Sequence, residues 1–142
     1  MLEKEVERLK REVERNFDHY LNMLIEALKR NSVDFVISED PGEADFKSAL
    51  VSKAASVAAD TGVVFFSGSE LKRRSALAEH HVAILTKDRI MPDIISAYKL
   101  ALLSGREIFA TSSASKTADI EGKVVWGMHG PRKFTVVLRG WK

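Results

Sequence analysis

The chain has 142 residues, of which 45% are hydrophobic and 30% charged, a size and balance that suit one globular domain and exclude a disordered class. The net charge of +2, with bases interleaved among acids, and two isolated Trp residues argue against a nucleic-acid face. With no cysteine, the chain itself can supply no disulfide, thiol nucleophile, Cys-ligated zinc or iron–sulfur ligand.

From the N-terminus, Leu2, Val6, Leu9, Val13, Phe17, Tyr20, Leu24 and Leu28 recur at steps of three or four, which predicts one amphipathic helix over residues 2–30. Glu5–Arg8, Glu7–Arg11 and Glu12–Arg15 are favourable neighbours on its other face. Such a helix is roughly 43 Å long, against a radius of gyration of roughly 14 Å for a globule of this size. The favoured expectation is that its first three turns overhang the body and form a homodimer seam or docking surface; the plainer alternative is that the stripe lies along the domain. The opening MLEKEVERLKREVER is too charged for a signal peptide. No apolar run approaches the ~20 residues of a membrane helix, so the expected location is cytoplasmic. The absence of Gln beside abundant Glu, Lys and Arg points to a thermophilic source.

Val33–Ile37 (VDFVI) reads as a strand and Glu39–Gly42 (EDPG) as a turn. Residues 44–60 are ambiguous, since their alanines favour helix while Val51, Lys53, Ala55, Val57 and Ala59 alternate as in a strand. Val63–Ser67 is a buried strand, and Ser67-Gly68-Ser69-Glu70 opens a short helix. His81–Thr86 is a strand, Asp88–Pro92 a connector, and Asp93–Ser104 a helix that Gly105 stops. Arg106–Thr111 and Lys133–Leu138 complete the strands. This alternation predicts an α/β fold built on a mainly parallel sheet flanked by helices. The domain division expected is a long helix at 1–32 and an α/β domain at 33–142.

The segment 112–134, SSASKTADIEGKVVWGMHGPRKF, is richest in chemistry. Ser115 and Thr117 follow a strand, where open α/β sheets hold ligands, and their hydroxyls suit a phosphate or carboxylate. A polar loop capping a helical turn is the plainer alternative. Asp119 and Glu121 can share a proton or supply a general base, although i,i+2 acids are commonly just solvated. His129 titrates near neutrality, and Arg132 can grip an anion bidentately. Gly127 and Gly130 allow close backbone approach; a surface hairpin would explain the same residues. Four histidines without HxxxH spacing do not make a metal site, and none is expected. Ser67 and Gly68 sit at a strand-to-helix junction suited to an anion.

These residues carry a resemblance. TADIEGKVVWGMHGPRKFTVVL is similar to the C-terminal signature of the LUD (lactate utilisation) domain family, the LutC/YkgG-like group. AADTGVVFFSGS resembles its Ala-x-Thr-Gly strand pair, and EHHVAILTKDRIMPDI its His-containing element, with His81 at the histidine position. All three occur in order across residues 50–139. Val33–Ala49 is compressed relative to the family's usual length. The resemblance implies strand for residues 52–60. It implies a fold like that of ribose-phosphate isomerase, glucosamine-phosphate deaminase and CoA transferase (NagB/RpiA-like).

Function by resemblance is an accessory or small-anion-binding component linked to lactate utilisation, with iron–sulfur partner subunits and no cofactor of its own. The alternative is an enzyme acting on a small carboxylate, phosphosugar or CoA-type ligand. In a ligand pocket Asp60, Thr61 and Gly62 would shape one wall, Ser115 and Thr117 would meet the anion, and Glu121, His129 and Asp119 would be the acid/base candidates; an accessory subunit without chemistry would instead dock through the Leu2–Leu28 helix.

Overall fold

The computed structural model describes residues 2–38, 49–113 and 131–139. Its helices are α1 (Leu2–Arg15), α2 (Phe17–Arg30), α3 (Ser69–Leu77) and α4 (Ile94–Leu102). Its strands are β1 (Asp34–Ser38), β2 (Leu50–Lys53), β3 (Ser56–Ala58), β4 (Val64–Ser67), β5 (His80–Thr86), β6 (Ile90–Met91), β7 (Ile108–Thr111) and β8 (Lys133–Arg139).

β5 and β8 are the centre of one wholly parallel sheet, ordered β1-β8-β5-β2. Each carries five consecutive buried residues, because a central parallel strand is covered on both faces. His81, Ala83 and Leu85, with Phe134, Val136 and Leu138, face inward. Val82, Ile84 and Val137 pack on the opposite face with Ala49 and Val51.

The second sheet is mixed, ordered β6-β3-β4-β7, with β3–β6 parallel and the pairings of β4 antiparallel. Between the sheets lies the main core, where Val57, Val64 and Phe66 meet the inward residues of β5 and β8 and Leu24 and Leu28 of α2. Full burial of each such side chain contributes roughly 1.5–3 kcal/mol. The other face of the mixed sheet, Ala55, Ala58, Phe65 and Met91, is covered by Val6 of α1 and Ala97, Leu100 and Ala101 of α4.

The segment expected as one N-terminal helix is two. Asn16 leaves helical geometry (φ −125°, ψ 39°) and splits the stripe. The break lets each half pack: Val6 joins the α4 side of the mixed sheet, whereas Val13, Leu24 and Leu28 reach the inter-sheet core. Val6 is 1% exposed, so the overhang does not arise and that part of the stripe is used within the chain. The connector at 88–92 likewise contains structure, a single 3-10 turn (Lys87–Arg89) followed by β6. Within residues 44–60, those described are extended and not helical, but the single strand that the resemblance implied at 52–60 is two short ones in different sheets, β2 and β3, parted at Ala54-Ala55, with Ala59 and Asp60 in a turn. The turn expected at 39–42 lies outside the described residues.

Candidate functional site

Two adjacent histidines begin β5 and, by strand alternation, point to opposite faces of the parallel sheet. His81 points inward and is fully buried. Its Nε2 lies 2.7 Å from Ser52 Oγ on β2, and its Nδ1 lies 2.8 Å from Ser75 Oγ on α3. Phe66 lies against the ring at 4.8 Å between centroids, and Phe134 meets it edge-on at 5.8 Å. Burial, followed by the neighbouring His80, pushes its pKa down to about 4. The imidazole is therefore neutral at pH 7, with one hydroxyl donating to it and the other accepting from it.

Ser52 and His81 have the spacing of a nucleophile and its base. Yet a base with a pKa near 4 draws a hydroxyl proton weakly. The group behind it is the Ser75 hydroxyl, which carries no charge to stabilise an imidazolium. The trio therefore works as a buried tie between β2, β5 and α3.

His80 faces the other side, with Nε2 2.8 Å from Thr135 Oγ1 on β8. Thr135 is paired in register with Asp34 on β1. Burial lowers the His80 pKa, Lys133 lowers it further, and Asp34 opposes them. At this edge the chain enters β8: Arg132 N–H donates to the Ala78 carbonyl at 3.2 Å, and Lys133 N–H to that of Glu79 at 2.9 Å. Arg132 is exposed, and its Nε lies 3.8 Å from a Glu79 carboxylate oxygen.

Asp60, Thr61 and Gly62 form the β3–β4 turn. The Asp60 and Thr61 carbonyls accept hydrogen bonds from Arg30 Nη2 and Asn31 Nδ2, both at 2.8 Å. Gly62 has φ +75°, and a Cβ there would come within 2.9 Å of Asn31 Nδ2 and 3.2 Å of Ala27 Cβ. These contacts lock the turn onto the end of α2. Ser67 and Gly68 join β4 to α3; Gly68 N–H donates to the Glu107 carbonyl at 2.8 Å, and Gly105 closes directly over Ser67. The structure thus brings His81 close to neither of these turns through any direct hydrogen bond among those resolved. Ser115, Thr117, Asp119, Glu121, Gly127, His129 and Gly130 lie outside the described residues.

A cleft of about 280 Å³ lies beyond the carboxyl end of β5, the side on which open α/β sheets hold ligands. Val13, Phe17 and Ile90 contribute its apolar surface, with Lys10, Arg11 and Lys87 and the acids Glu7, Glu14 and Asp88 around it. Lys87 Nζ sits 4.4 Å from the centroid of the Phe17 ring. Asp88 accepts from Thr86 Oγ1 at 2.6 Å and faces Arg89 Nε at 3.6 Å. Sequence reasoning missed this cleft because its residues come from α1, from α2, from the turn after β5 and from β6, and carry no common motif. It also missed Ser52 and Ser75, which lie in the partly exposed β2 and the largely exposed α3 and carry no signal in the sequence. Among the described residues, no group of three or more His, Asp or Glu is placed to hold a metal ion, and no helix is long and apolar enough to cross a membrane.

The family model of the LUD domain matches residues 25–138. Lactate utilization protein C of Deinococcus radiodurans is 27% identical over 117 residues, covering 76% of this chain and 55% of that protein, so the chain spans about half the length of this relative. The crystal structure of a DUF162 family protein, also from D. radiodurans, superimposes with a TM-score of 0.64 at 13% identity, covering 87% of this chain and 98% of that one. At that identity the likeness concerns the fold, and it agrees with the α/β arrangement described above. With the family signature running from α2 to the penultimate residue of β8, the chain belongs to the LUD domain family.

Proposed function

We propose that this protein serves lactate utilisation as a small-anion-binding accessory component. The observation that carries this reading is the similarity to lactate utilization protein C over 117 residues. Among the described residues, the hydroxyl–imidazole pairs favour a structural role: His81, between Ser52 and Ser75, is fully buried and a weak base, and His80, beside Thr135, also has its pKa lowered. Two places are candidates for a small carboxylate: the segment ending in Pro131-Arg132, read from sequence, with Glu121, His129 and Asp119 as its proton-handling candidates, and the cleft beyond β5, where Lys10, Arg11 and Lys87 stand among Glu7, Glu14 and Asp88. Iron–sulfur subunits would be the partners that carry the electrons.

The test is a thermal-shift screen of lactate, pyruvate, phosphosugars and CoA thioesters on the wild type, His129→Ala and Lys87→Ala. A ligand at ~100 times its dissociation constant adds about 2.7 kcal/mol. A shift lost only in His129→Ala puts the ligand at the segment before β8; one lost only in Lys87→Ala puts it in the cleft. No shift with any compound overturns anion binding and leaves partner docking as the role to pursue.

A further inference from the structure

The parallel sheet has two faces, and the described helices cover one of them. On the outer face Val82 and Val137 are fully buried and Ile84 is 8% exposed, packed with Ala49 and Val51. Among the described residues no helix contributes to that cluster. Side chains of α1, α2 and α3 reach the inter-sheet core instead, and α4 packs on the mixed sheet. A valine on a bare sheet face stays open to water, and parallel sheets are covered on both faces. A segment outside these helices therefore lies over it.

The connectivity says which. From β2 to β5, and from β5 to β8, the chain steps one strand at a time in the same direction, and the described parts of both connections lie on the inner side. From β1 to β2 it steps back across the whole sheet, to a strand parallel to the first. Crossovers between parallel strands of one sheet share one hand. A connection of the same hand that runs the opposite way passes over the opposite face. We propose that residues 39–48 (EDPGEADFKS) cross the outer face and that Phe46 is seated on Val82, Ile84 and Val137.

The burial follows that path. β1 ends at Ser38, level with Arg139 and Thr86, whereas β2 begins at Leu50, level with His81. The line between them spans about 14 Å across the strands and about 16 Å along them. The ten residues from 39 to 48 reach about 33 Å when extended, enough to make the crossing. The line passes over Val137 on β8 and between Ile84 and Val82 on β5, the three buried members of the cluster. Off the line, Val36 is 44% exposed, and Lys53 and Lys133 are exposed as well. Thr135, beside the line, is buried with its hydroxyl on His80.

Charge agrees with the placement. The segment carries Glu39, Asp40, Glu43 and Asp45 against Lys47, while the outward positions around the path carry Lys53, Lys133 and Arg139 against Asp34. Phe46 is its one large apolar side chain. Residues 114–130 are under no such demand, because the chain leaves β7 in the mixed sheet and re-enters beside Ala78 and Glu79.

Methyl NMR on the full chain is the test. Ring protons of Phe46 should show NOEs to the methyls of Val82, Ile84 and Val137. Phe46→Leu should shift those resonances while the methyls of Leu85 and Leu138, on the inner face, stay in place. Absence of any Phe46 NOE to these methyls overturns the proposal, whether the contacts come instead from Val124, Val125 or Trp126 or, in a mixed-label sample, from a second copy.

Discussion

Ser75 and His81 share a hydrogen bond of 2.8 Å that ties α3 to the start of β5, and the other ring nitrogen of His81 reaches Ser52 on β2. Because the pKa of His81 falls to about 4 on folding, the unfolded chain binds more protons between that value and the ordinary 6.5. This contribution to stability is therefore complete above pH 6.5 and is lost as pH falls toward 4, by roughly 3 kcal/mol in all. Urea midpoints of the wild type and His81→Phe between pH 4 and 8 isolate it from the carboxylates. The variant should lose about 1–3 kcal/mol at pH 7, as a buried Ser75 hydroxyl goes unpaired, and its pH slope should be flatter. Parallel slopes for the two proteins would refute the assignment.

Gly62 and Gly105 make a second comparison. Alanine at Gly62 must hold φ +75° and meets Asn31 and the buried Ala27. The left-handed conformation alone costs about 1–2 kcal/mol. Alanine at Gly105 meets mainly the Ser67 hydroxyl, the end of a side chain that can rotate away. Chemical denaturation should show Gly62→Ala as the more damaging change, and the opposite order would mean that the Thr-Gly turn is not clamped by α2.

His80 tests the electrostatics of the outer face. Lys133 lowers its pKa and Asp34 raises it. Lys133→Ala should move the His80 titration upward and Asp34→Asn downward, followed by the imidazole proton resonances in NMR. Shifts of the same sign in both variants would show that neither charge acts on the ring as the geometry requires.

The strands β5 and β8 were legible because short runs as apolar as residues 82–85 and 136–138 have few other homes than the centre of a parallel sheet. The break at Asn16 was not, since the three-to-four spacing of the apolar stripe runs through it without a glycine or proline. Only packing reveals that the two halves serve different cores. β6 is two residues long and takes its identity from pairing with β3, which is beyond the reach of local pattern. In the candidate site, His81 was picked out by resemblance, but its partners Ser52 and Ser75 lie 29 and 6 residues away in other elements. Thr-Gly at 61–62 drew attention as a pocket wall; the physical demand on the glycine comes from the helix end packed against it.

The docking of α1 gives the last prediction. Val6 is 1% exposed among Ala55, Ala58, Met91 and Leu100, and Glu5 meets Lys99 of α4 next to it. Val6→Asp would place a carboxylate without a partner in that apolar contact, and undocking α1 is cheaper than burying the charge. Losing the Val6 burial alone removes roughly 1.5–3 kcal/mol. Hydrogen exchange should then show the first turns of α1, around Val6, losing protection while β5 and β8 keep theirs, because Val13 at the other end of α1 belongs to the inter-sheet core and Val6 does not. Weaker docking at high salt in the wild type would mark the exposed share of the Glu5–Lys99 pair. Unchanged α1 protection in Val6→Asp would restore the overhanging helix that the sequence pattern favours.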